Sequence, residues 1–90
     1  MKIQIEQVEA ALKEHLDFPF QITARKDIKF GEIVVLLYNK VENEAFIRQV
    51  CESALPTYWV PKVYIGVDEL PMTGTGKPDR ASARRMANNE

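Results

Sequence analysis

Ninety residues make one small domain and are too few to enclose a deep active site unaided. Hydrophobic residues are 46% and charged residues 28%, a soluble globular balance, and the net charge of -1 argues against a nucleic-acid binder, which needs a basic excess. A single Cys51 and a single His15 exclude an internal disulfide and any multi-ligand zinc site, so no metal centre is expected.

Lys2-Ile3-Gln4-Ile5 alternates like a short strand. Ile5, Val8, Leu12 and Leu16 then fall on one helical stripe among Glu6, Glu9, Lys13 and Glu14, and Asp17 and Pro19 close the helix. Phe20, Ile22 and Ala24 alternate with Gln21, Thr23 and Arg25, which predicts a strand with one wet face. Lys26 to Gly31 is a turn with Gly31 free to take positive φ, and Ile33 to Tyr38 reads as a fully buried strand. Asn43 is a good N-cap for a second helix whose inner face carries Phe46/Ile47, Val50/Cys51 and Ala54/Leu55, and Pro56 stops it. Val63, Ile65 and Val67 mark a third strand, Glu69 to Pro78 a loop, and Asp79 caps a last helix through Ala81, Ala83 and Met86. The order β-α-β-β-α-β-loop-α predicts one α+β domain over residues 1–90: a sheet of about three strands plus a short N-terminal strand, flanked by helices. The longest apolar run is too short to span a bilayer and the acidic, amphipathic start is no signal peptide, so a cytoplasmic chain is expected.

The most unusual segment runs from Leu70 to Arg80, where Thr73, Gly74, Thr75 and Gly76 present Lys77 at a loop tip. Glycines at 74 and 76 allow backbone conformations closed to other residues, so the loop can approach a phosphate or carboxylate while Lys77 supplies a compact positive charge. The same pattern fits a solvated turn with an exposed lysine. A nucleotide P-loop, G-x-x-x-x-G-K-S/T, is excluded because Pro71 and Pro78 stand where Gly and Ser or Thr are needed, and G-x-G-x-x-G fails at Asp79. Elsewhere, His15 reads as a boundary residue, Cys51 as core, and Tyr58 and Trp59 as packing the loop under the sheet. Arg80, Arg84 and Arg85 form a solvated basic face able to attract a phosphate, and Asp68 and Glu69 are placed to hydrogen-bond the loop and hold Lys77.

Leu55-Pro56-Thr57-Tyr58-Trp59-Val60-Pro61-Lys62, then Val67-Asp68-Glu69-Leu70-Pro71, then Thr73-Gly74-Thr75-Gly76-Lys77 resemble the close of the adenylate-forming ligases. That family, which includes acyl-CoA synthetases, luciferases and peptide-synthetase adenylation domains, ends in a pattern similar to L-P-x-Y-x-V-P-K, V-D-E-L-P and x-T-x-S/T-G-K. Lys2-Ile3 running into Glu6-Gln7-Val8-Glu9 is similar to its K-I-x-x-x-E-V-E, and Asp27 to Glu32 to its turn P-D-x-x-x-G-E. The likeness covers roughly Lys2 to Arg80. Departures are Gln4 and Ile5 in place of Ser and Pro, Arg25-Lys26 in place of Val-Pro, and Pro78 in place of an apolar residue.

The resemblance implies the mobile C-terminal lid domain of an enzyme that activates a carboxylate with ATP and passes the acyl group to a thiol. It implies ATP and CoA as substrates with Mg2+, all held mainly by a large N-terminal adenylation domain. That domain and the hinge are expected to lie outside this chain, which alone should be inactive. Lys77 matches the lysine that bridges carboxylate and phosphate in adenylation, Thr73 to Gly76 match its loop, and Lys2 lies beside the face that meets the thiol tunnel. Phe18-Pro19-Phe20 leading straight into the first central strand is most like the o-succinylbenzoate–CoA ligases of menaquinone biosynthesis. Other readings are an adenylation domain serving a carrier protein and a stand-alone α+β module binding RNA or protein; no nucleic-acid or membrane partner is expected.

Overall fold

The computed structural model describes residues 3–89. The elements are helix α1 (Ile5–Lys13), strands β1 (Phe20–Asp27) and β2 (Gly31–Asn39), helix α2 (Glu44–Ala54), a 3₁₀ turn (Thr57–Trp59), strand β3 (Val63–Val67) and helix α3 (Arg80–Asn88).

The sheet has three strands in the order β1-β2-β3. β1 and β2 form an antiparallel hairpin in which Phe20 faces Tyr38 and Ala24 faces Val34. Its turn is built by Asp27, whose Oδ2 accepts from the N–H groups of Lys29 (3.0 Å) and Phe30 (2.9 Å), and by Gly31 at φ 81°. β3 pairs parallel to β2, with Val35 beside Val63 and Asn39 beside Val67, so α2 serves as the crossover that a parallel pair requires. Asn43 caps that helix, its Oδ1 accepting from Phe46 N–H at 3.0 Å.

Two apolar layers sandwich the sheet. On one face α1 and α2 bring Val8, Leu12, Leu16, Ile47, Cys51 and Leu55 against Ile22, Val34, Leu36 and Tyr38. On the other, Ala83 and Ala87 of α3 lie on Val35, Leu37 and Ile65. The continuous apolar run of β2 follows from burial on both sides.

The wet face expected of β1 is covered: Gln21 and Thr23 are buried. The small side chains of Ala83 and Ala87 let α3 lie close on this face, where Gln21 Nε2 and Arg25 Nε donate to the Pro71 and Ala87 carbonyls while Gln21 Oε1 and Arg25 Nη2 are buried without a partner among the described residues. The expected N-terminal strand is also absent over Ile3 and Gln4, and Lys2 lies outside the described residues. Gln4 already gives its carbonyl to Val8 N–H at 3.0 Å and so belongs to the helix start; its side chain makes no cap bond.

β1 is an edge strand, and three of its outward groups are taken by side chains. Glu9 Oε2 accepts from Ile22 N–H at 2.9 Å. Asn88 accepts from Lys26 N–H at 3.1 Å and donates to the Ala24 carbonyl at 3.4 Å. With both faces covered, no open aromatic sheet surface remains among the described residues for stacking bases. No helix among them is long and apolar enough to cross a membrane.

Candidate functional site

Thr73 to Lys77 form the turn of a small hairpin rather than an open loop. Thr73 N–H donates to the Lys77 carbonyl at 2.7 Å and Gly76 N–H to the Thr73 carbonyl at 3.0 Å, and Met72 and Pro78 bridge antiparallel beneath them. Gly76 has φ 83°. This pattern is a tight turn closed by a left-handed glycine bulge. Thr73 Oγ1 reinforces it, accepting from Lys77 N–H at 3.2 Å and sharing a hydrogen bond of 3.0 Å with Thr75 Oγ1. Gly74 is not left-handed, and a Cβ there would meet nothing within 4 Å. Of the two glycines expected to need special conformations, only Gly76 does. The threonines fix the turn, and the Lys77 side chain points to solvent with no carboxylate in ion-pairing range among the described residues.

The base of the hairpin is tied to the sheet through its first strand and to α3 through its second. Buried Gln21 on β1 donates through Nε2 to the Pro71 carbonyl at 2.8 Å, with Met72 Sδ at 3.5 Å. Asp79 N–H donates to the same carbonyl at 3.0 Å. Asp79 then starts α3, its carboxylate accepting from Ser82 N–H (3.0 Å) and Ser82 Oγ (2.9 Å). These bonds hold its carboxyl below the usual carboxylate range.

Arg80 follows at once and lays its guanidinium fork on Glu9 of α1, with Nη1 to Oε2 at 2.6 Å and Nη2 to Oε1 at 2.7 Å. Glu9 is 7% exposed, and its hydrogen bonds to Arg80 push the guanidinium pKa further up. Arg84 pairs with Glu32, and Arg85 donates to Ser82 Oγ at 2.9 Å. The basic face expected of α3 is therefore largely spent on internal pairs. Glu9 and Gln21 were absent from the sequence reading of the site.

Asp68 and Glu69 do not hold the loop. Asp68 pairs with Lys40 at 2.5 Å and accepts from Asn39 Nδ2 on its carbonyl at 3.0 Å, because the parallel pairing of β3 with β2 delivers it to the end of β2. Glu69 is exposed and makes no hydrogen bond among the described residues. Trp59 packs against the core as expected, but Tyr58 is 59% exposed. Tyr58 lines a groove of about 330 Å³ with Ile3, Phe30, Val60 and Lys62. His15 is exposed and Cys51 fully buried. Among the described residues no three His, Cys, Asp or Glu groups converge, so the Mg2+ implied by the resemblance finds no ligand set there.

No family model matches the chain. It is 35% identical over 88 residues to 2-methylpropanoate–CoA ligase of Humulus lupulus, covering 90% of this chain and 16% of that protein. It is 33% identical over 82 residues to surfactin synthase subunit 1 of Bacillus subtilis strain 168, covering 88% of this chain and 2% of that protein. Among solved structures, the fatty acyl CoA synthetase of Mycobacterium tuberculosis superposes with TM-score 0.81 at 20% identity, over 99% of this chain and 18% of that one. The fold is that of the C-terminal domain of acyl-CoA synthetase structures. The relatives are acyl-activating ligases and peptide synthetases, which supports the adenylate-forming family, and the chain spans a small part of each.

Proposed function

We propose that the chain is the mobile C-terminal domain of an adenylate-forming acid–thiol ligase, and that Lys77 is its contribution to the first half-reaction. In that step a carboxylate oxygen attacks the α-phosphorus of ATP, the bond to pyrophosphate breaks, and an acyl-adenylate forms. Two anions must approach, and an ammonium placed between them lowers their repulsion as the water is displaced. The thiol then attacks the acyl carbon and AMP leaves. The observation that carries the reading is the hairpin: a lysine held at the closing position of a hydrogen-bonded turn, with its charge unspent among the described residues.

ATP, Mg2+ and most of the substrate contacts belong, in this reading, to an N-terminal adenylation domain of the same polypeptide, acting in the cytoplasm. Lys2 would belong beside the segment that meets the thiol after the domain turns. The thiol is CoA, in keeping with the CoA-ligase relative. The acid to assay first is o-succinylbenzoate, on the likeness of Phe18-Pro19-Phe20 and the strand after it. A second reading, an adenylation domain that loads a carrier protein, is favoured by the likeness to surfactin synthase subunit 1; offering both acceptors to the same adenylate separates the two.

The test is Lys77→Ala in the full polypeptide that carries this chain. Carboxylate-dependent pyrophosphate exchange is expected to fall about 100- to 1000-fold, as on losing one preorganised charge-stabilising group. Thioester formation from supplied acyl-adenylate is expected to persist. Equal loss in both half-reactions removes Lys77 from this role.

A further inference from the structure

We propose that Glu9 is a positioning residue for Lys77, acting through Arg80 to fix the direction in which the hairpin presents its ammonium. This rests on the reading of Lys77 given above. Between Lys77 and Arg80 stand only Pro78 and Asp79, and neither is a free joint. Pro78 is bridged to Met72 and Asp79 N–H is bonded to the Pro71 carbonyl. The orientation of the Arg80 main chain is thus passed rigidly to the turn.

Arg80 is set in its turn by a carboxylate 71 residues earlier, held by both arms of the guanidinium and by Ile22 N–H of β1. A forked, charge-assisted pair fixes an angle as well as a distance, which a single ammonium does not. Glu9 therefore references the hairpin to α1 and β1 together.

Docking of α3 does not depend on this pair. Ala83 and Ala87 sit in the second core, Arg84 holds Glu32, Arg25 Nε donates to the Ala87 carbonyl at 2.5 Å, and Asn88 is bonded to β1. Cutting the Glu9–Arg80 pair leaves the Gln21–Pro71 bond and the Asp79 cap in place and removes the link from the hairpin's outgoing strand to α1, while the rest of the domain keeps its contacts.

The experiment uses Arg80→Met, Arg80→Lys, Lys77→Ala and the double variant in the full polypeptide, with pyrophosphate exchange and adenylate-to-thioester transfer measured separately. Arg80→Met is expected to lower kcat for pyrophosphate exchange roughly tenfold to hundredfold, the effect of a misplacement of about 1 Å, with KM for the acid little changed. Arg80→Lys recovers only part of that loss because the fork is gone. Thioester transfer is unchanged, and Arg80→Met adds nothing on a Lys77→Ala background. If Lys77→Ala disables exchange and Arg80→Met does not, the positioning role alone is overturned. Equal losses in both half-reactions for Arg80→Met, or additive losses in the double variant, also overturn it. If Lys77→Ala leaves exchange intact, the reading beneath it falls and this one with it.

Discussion

Asp79 and Pro71 lie on opposite strands of the hairpin and are joined by a backbone hydrogen bond of 3.0 Å, while the Asp79 carboxylate caps α3. One residue thus closes the Lys77 hairpin and opens the helix behind it, so the two elements loosen together.

This coupling predicts acid sensitivity. The folded Asp79 carboxyl is held below its ordinary range, and unfolding releases it, so the unfolded chain takes up the proton first as pH falls. The stabilisation is complete above the ordinary Asp range and is lost as pH drops through the folded value. The Tm of the 90-residue chain is expected to decline as pH falls below about 5, and less steeply in Asp79→Asn. Glu44, held low by Tyr38 and Arg48, leaves a residual slope in that variant. Parallel slopes for the two proteins would contradict the coupling.

The two glycines of the turn are expected to behave differently. Gly76→Ala forces a Cβ into a left-handed position at a cost of roughly 1–2 kcal/mol, against the φ of 83° found there. Gly74→Ala meets nothing within 4 Å. Amide exchange at Thr73, whose N–H closes the turn on Lys77, should accelerate in the first variant and stay near wild type in the second.

Tyr38 donates its hydroxyl to Glu44 Oε1 at 2.7 Å, and burial, together with that carboxylate, pushes its pKa up to about 12. The unfolded phenol ionises first as pH rises, so stability is intact below about pH 10 and erodes above it. Tyrosinate absorbance of the folded chain should show a component near pH 12 that Tyr38→Phe removes. A component titrating at the ordinary tyrosine value would show that the hydroxyl is open to water.

In the core, Leu12 has no exposure, and Leu12→Ala should destabilise the domain by about 2–5 kcal/mol. Ile28, fully exposed in the β1–β2 turn, should change stability by about 0.5 kcal/mol or less on conversion to Ala. Denaturant midpoints of the two variants measure the contrast.

Local rules carried most of the fold. The apolar run of β2, the caps at Asn43 and Asp79 and the φ of Gly31 were legible because each depends on neighbours within a few residues. The covered face of β1 was not, since Gln21 and Thr23 are polar residues and only the arrival of the hairpin base and α3, from 50 to 62 residues away, makes them buried. The site divides the same way. Lys77 and its turn residues stood out by spacing, but the Glu9–Arg80 pair spans 71 residues and its partners look like ordinary surface charges until the helices pack. Asp68 misled for a related reason: it is near the loop along the chain, yet strand pairing hands it to Lys40.

The sealing of the β1 edge has a consequence for solution behaviour. Ile22 N–H, Ala24 C=O and Lys26 N–H are three of the groups that a neighbouring molecule would use to extend the sheet, and Glu9 and Asn88 already hold them. Intermolecular strand addition at β1 must first break a buried carboxylate contact, which disfavours pairing along that edge. Glu9 then guards against self-association as well as setting the hairpin, and its loss would show as concentration-dependent aggregation alongside any change in chemistry.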